Sequence, residues 1–264
     1  MKKAEITICL MAAVLVMATG QGFGWIYFND GGTHNINYTT NDRVGVDYLA
    51  PGMQTTVNLL DGGFCGALDG YNNSRINMSG GSVYDDLTAH DSSQVTMSGG
   101  SVGGDLRAYD NSQATMSGGL VTDLIAYDSG QITMSGGSVD RYLFAENSSQ
   151  VTMSGGSVLE LVPCDSGQLT ISGGSWVWLE AEGSSRITID GSNFAIDGTP
   201  LGEITTILGT GGSFRRLTGT LANGDIINNQ FRISDDAKLF LVPEPATLLL
   251  LGFGAVMMVM KLFK

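Results

Sequence analysis

Lysine is nearly missing from this sequence. Lys2 and Lys3 stand at one end, Lys261 and Lys264 at the other, and only Lys238 lies between. Four of the 13 Lys and Arg fall in the terminal segments, as do two of the 26 Asp and Glu, so the middle of the chain carries about −15. Such a surface repels phosphate backbones and anionic lipid, which argues against nucleic acid as a partner and leaves cations and neutral glycans. Histidine is limited to His34 and His90, with no nucleophile placed beside either by any motif. Cysteine is limited to Cys9, Cys65 and Cys164, and no C-x-x-C metal or redox pair exists. No apolar stripe of period 3.6 runs through the middle, which excludes helical repeats.

What fills the chain instead is glycine, 38 of them, and a repeat. Met78, Met97, Met116, Met134, Met153, Ile171 and Ile189 recur every 18 or 19 residues. Within a unit, Val95 and Met97 alternate with Thr96 and Ser98, the period of a strand with one buried face. Gly99-Gly100 makes a corner, Val102 opens a second short strand, Leu106 and Ala108 a third, and Asp110-Asn111-Ser112 a turn. Three faces of this size bury little alone, but stacked they form a continuous core. The expected fold is all-β: a parallel β-solenoid of 18–19-residue coils, right-handed, over 55–192. Segments 25–54 and 193–242 are expected as β caps, because an open solenoid end exposes strand edges. Cys65 and Cys164, about five coils apart, would be separated by over ~20 Å, beyond the roughly 7 Å reach of a disulfide.

Both ends read as addresses. Lys2-Lys3, the apolar run Ile6 to Ala18 and the small residues up to Gly24 have the order of a secretory signal peptide, placed at 1–24 with cleavage between Ala18 and Gly24. Its apolar run is too short for a bilayer, which needs about 20 residues. At the other end, Pro243-Glu244-Pro245 leads into the apolar run Ala246 to Met260 and then Lys261 and Lys264. The two prolines keep the motif extended, and a helix of about 22 Å is short for a permanent anchor. Segment 243–264 resembles the PEP-CTERM sorting signal. The resemblance implies that an exosortase recognises the motif while the helix holds the protein in the inner membrane. The tail is then removed, and the protein is released or attached at the surface of a Gram-negative cell that makes exopolysaccharide. The usual arginine cluster is reduced here to two lysines.

Repetition turns each outward position into a column. Thr96, Thr115, Thr133, Thr152 and Thr170, continued by Thr188, run beside Ser98, Ser117, Ser135, Ser154 and Ser172. This grid resembles the Thr-x-Thr faces of solenoid ice-binding proteins and is the candidate ligand face. It is also what strand propensity and hydroxyl ladders give without any ligand. Asp91, Asp110, Asp128 and Asp165, with Asn147 among them, form an acidic column that is a calcium candidate; a plain turn role explains it equally. Asp86, Asp105 and Asp123 form a shorter one, and His90, Tyr109 and Tyr127 an aromatic column that could stack on sugar rings.

These features point to a non-enzymatic structural or adhesive protein of the cell surface or extracellular matrix, in contact with polysaccharide and without a cofactor. One alternative is an ice- or glycan-binding module on the Thr/Ser face. The other is a carbohydrate-active β-helix enzyme, although such enzymes build a cleft from long loops and these coils are near-minimal.

Overall fold

The computed structural model describes residues 24–49, 52–202, 205–209 and 212–243. Every regular element among them is a β-strand. The strands stack in parallel register as a β-solenoid of about nine coils, each with three faces.

On the first face Thr33–Ile36, Thr56–Leu59, Arg75–Met78, Gln94–Met97, Gln113–Met116 and Gln131–Met134 lie side by side. The opening residues of Gln150–Pro163, Gln168–Ser175 and Arg186–Ile196 follow, and then Lys238–Pro243. The second face is narrow, built from pairs such as Ser82–Val83, Ser101–Val102 and Leu120–Val121. The third carries Trp25–Phe28, Arg43–Val46, Ala67–Gly70, Leu87–Ala89, Leu106–Ala108 and Leu124–Ala126, and reaches Trp178–Ala181 and the end of Ile226–Ile233.

The alternation read in the sequence is the alternation of burial: in Gln94–Met97, Val95 and Met97 are buried while Gln94 and Thr96 are exposed. The central coils each add a layer with Met, Val and Leu, preceded by Val or Ile except at Ala114, to a single core. Every large apolar side chain so buried contributes about 1.5–3 kcal/mol. The Met-Ser-Gly-Gly corner has a steric basis. A Cβ on Gly118 would lie 2.5 Å from the Ser98 carbonyl oxygen of the preceding coil, so that the coils can close up only on glycine. Gly119 has φ +91°, and a Cβ there would sit 2.5 Å from Cε of Met97, whose tip fills the space beneath the next corner. At the opposite corner the hydroxyls of buried Ser93 and Ser112 donate to the carbonyls of Gly70 and Ala89, both at 3.1 Å.

The two segments expected as caps contain coils of the same stack. Trp25–Phe28, Thr33–Ile36 and Arg43–Val46 pair in parallel with the repeats. In 193–242 a hairpin excursion interrupts the winding, with Arg215–Leu221 antiparallel to Ile226–Ile233 and to Arg186–Ile196. The chain then returns for one more coil, and Thr205–Leu208 closes its edge antiparallel to Lys238–Pro243. Pro243 ends that last strand; residues 1–23 of the segment expected as a signal peptide, Glu244, Pro245 and the apolar tail lie outside the described residues.

Candidate functional site

The parallel register brings the predicted Thr and Ser residues onto one face. Thr96, Thr115, Thr133, Thr152 and Thr170 are direct neighbours from coil to coil, and Gln94, Gln113, Gln131, Gln150 and Gln168 form a third column beside them. The glutamines escaped the sequence reading of this face although they recur at the same period. With Ser98, Ser117, Ser135 and Ser154 beside them the face is a grid about 13 Å by 20 Å from strand and coil spacing, and Ser172 stands out of register because Ser154 pairs with Gly173. All its side chains are exposed except Thr170 and Ser172, which are half-buried.

Both limits of the grid are built. Towards the N-terminus the Thr column continues as Asn77, Asn58 and Asn35, whose amides chain together at 2.9 and 2.8 Å. Towards the C-terminus the Asn223 turn of the hairpin excursion lies against Ser172, the Asn223 N–H donating to the Ser172 carbonyl at 3.0 Å. Arg75 flanks the Gln column on one side, Arg186 and Lys238 on the other. Between them no charged side chain projects, in a molecule that is strongly acidic elsewhere. Among the described residues no side-chain hydrogen bond links one threonine of the column to the next, so these hydroxyls face outward with their capacity unspent.

The Asp column is assembled too, and a backbone conformation accounts for it. Asp91, Asp110, Asp128, Asn147 and Asp165 all have φ between 53° and 58°, as Asn72 does at 56°. Asp and Asn tolerate this left-handed region better than other side chains. The carboxylates also bridge coils: Asp91 accepts the Asn72 N–H at 2.9 Å, and Asp110 that of Asp91 at 3.3 Å. Among the described residues no three His, Cys, Asp or Glu side chains converge as a metal site. In the shorter column Arg107 bridges Asp86 and Asp105 at 2.6 and 2.5 Å, and Arg141 meets Asp123 at 2.7 Å.

The aromatic column is longer than the sequence suggested. Trp25, Tyr27, Tyr48 and Tyr71 precede His90, Tyr109 and Tyr127 in an unbroken ladder. From Tyr71 to Tyr127 the rings lie 4.7 to 5.1 Å apart and within 8° of parallel. A sugar ring stacks on an open aromatic face, and here the inner rings cover one another's faces. From Tyr71 to Tyr127 the rings therefore contribute to coil stacking, whereas Tyr48 meets Tyr71 edge-on at 67°. Burial lowers the His90 pKa, which keeps this member of the stack neutral at neutral pH.

Remaining reactive groups are dispersed. His34 pairs with Asp30 at 2.9 Å on the exposed first coil. Cys65 and Cys164 are free thiols pushed up by burial to about 12 and about 11, which suppresses the reactive thiolate. Asp69 is buried, and burial raises its pKa to about 6 against the pull of Arg43, 3.9 Å away. An open groove on the second face is lined by Phe64, Tyr84, Asp85, Leu120, Thr122 and Asp140, apart from Asp69 and both histidines. Compared with protein-family models, curated proteins and solved structures, the chain matches none.

Proposed function

We propose that this chain is an exported, non-enzymatic, right-handed solenoid rod that adheres to extracellular polysaccharide through its Gln-Thr-Ser face. The observation carrying this reading is the grid itself: uncharged Gln and Thr columns in register over five coils with serines beside them, largely exposed and bounded at both ends. Amides and hydroxyls on a fixed repeat suit a neutral polymer, which offers many weak hydrogen bonds in sequence and needs no counter-charge. In this reading the signal peptide starts export. The Pro243-Glu244-Pro245 motif with its short helix presents the chain to an exosortase-type enzyme, and the product resides at the surface or in the matrix of a Gram-negative cell. Purified residues 25–242 are expected to retain neutral polysaccharides on a glycan array and to leave them uncleaved. Release of shortened chains from any polysaccharide would overturn the non-enzymatic reading.

A second occupant of the same face is ice, favoured by the unpaired hydroxyls of the Thr column. Ice shaping that disappears in Thr133→Tyr would select it over the polymer.

A further inference from the structure

The outer wall of the second face has a gap. In successive coils the outward place after the buried valine of this face falls to Tyr84, Gly103, Thr122 and Asp140. Gly103 and Gly104 bring no side chain to that row. The next coil is one residue shorter, so that Thr122 is followed at once by buried Asp123. Tyr84 and Asp85 therefore face Asp140 across an open groove of about 590 Å³, three coil steps or about 14 Å long. Side chains cannot simply fill it from below: a Cβ on Gly103 would run into the Tyr84 carbonyl oxygen, and one on Gly104 into Oδ1 of Asp86.

The groups around the gap are free. Tyr84 is 69% exposed and touches no other ring among the described residues, unlike Tyr109, whose ring lies between those of His90 and Tyr127. Asp85 and Asp140 are exposed, and among the described residues their carboxylates make no hydrogen bond or ion pair. The neighbouring cations are engaged elsewhere, Arg107 with Asp86 and Asp105, and Arg141 with Asp123.

An open aromatic ring beside unpaired acceptors suits a sugar. The C–H face of a pyranose packs on the ring while adjacent hydroxyls donate to the two oxygens of a carboxylate. A peptide strand would need a free edge, and the backbone of this face is used in pairing from coil to coil. Carboxylates at both ends repel uronic and sulfated sugars, which leaves a neutral polymer of the kind that suits the first face.

We propose that this groove is a second saccharide site, in which a hexose of a neutral polysaccharide stacks on Tyr84 and donates to Asp85, while Asp140 meets the same chain further along. The groove opens on a different face from the Gln-Thr-Ser grid, so one molecule holds two polymer strands and cross-links them. The cross-link rests on the polysaccharide reading of the first face; the groove itself does not.

The test is calorimetric titration of the full chain, in a detergent without a sugar headgroup, with neutral hexasaccharides of glucose, mannose and galactose, paired with viscometry of the matching long polymers. The wild type is expected to take up two oligosaccharides and to thicken the polymer. Tyr84→Ala should bind about tenfold more weakly at one of the two sites, and Tyr84→Phe should keep both. Thr133→Glu should lose the other site, and neither Tyr84→Ala nor Thr133→Glu should thicken the polymer. Tyr84 is exposed, so its variants should melt with the wild type. Uptake unchanged in Tyr84→Ala overturns the groove and leaves the first face standing. A single site that survives Thr133→Glu and vanishes in Tyr84→Ala supports the groove and overturns the first-face reading with the cross-link. No uptake of any neutral probe by the wild type overturns both.

Discussion

Single residues decide whether coils can close on one another. Gly100 combines φ +83° with a site where a Cβ would be 2.6 Å from Met78 Cε and 2.7 Å from the Gly80 carbonyl. Gly100→Ala is therefore expected to cost about 2–4 kcal/mol in denaturant unfolding, with strain and overpacking acting together. A loss under 1 kcal/mol would show that the corner is slack. The sequence marked Gly-Gly as a corner; which glycine needs positive φ, and that a methionine tip from the preceding coil sits against it, depends on contacts between repeats. The Asp column shows the same division: a turn role was legible, but the donor belongs to the neighbouring coil. Asp69 gives a pH signature. Its folded pKa of about 6 lies above the ordinary 3.8, so the folded chain holds this proton more tightly than the unfolded chain. Stability should fall as pH rises from about 4 to about 6, and Asp69→Asn should recover up to about 3 kcal/mol at pH 7. Thermal melts across that range that coincide for wild type and variant would contradict this.

Elements were legible where the period holds. From Arg75 to Arg186 the spacing is 18 or 19, and on the first face the four residues ending in Met or Ile pair in the expected register from coil to coil. The first coils were not read as repeats because Thr33 and Thr56 are 23 residues apart, Arg43 and Ala67 are 24 apart, and asparagine replaces threonine in the outward column. The last coil is hidden by an insertion, since Arg186 pairs with Lys238, 52 residues on. That insertion also bounds the Gln-Thr-Ser face. Asp225 accepts the Gly174 N–H at 2.7 Å and the Asn223 amide at 2.6 Å, holding the turn beside Ser172. Asp225→Ala is expected to loosen the turn, with faster amide exchange at residues 222–225 and about 1–2 kcal/mol lost from the C-terminal coils. Unchanged exchange there would mean that the turn is held by backbone contacts alone.

The whole molecule is a quasi-one-dimensional stack, each coil resting on its neighbours. Charge is arranged by face: acidic turns and ion pairs occupy the other corners, while one flat side is left neutral. The Thr and Ser columns of that side were legible from the repeat. The Gln column, the Asn ladder and the hairpin turn that bound it came from register and from an excursion with no periodic signal. Whether this neutral side holds a polysaccharide is measured by a binding titration of residues 25–242, wild type and Thr133→Glu, against the glycan the wild type retains. Thr133 is exposed at the middle of the grid, so the variant should melt within a few degrees of wild type while affinity falls at least tenfold, about 1.4 kcal/mol. Equal affinity in the two proteins would contradict the assignment of this face.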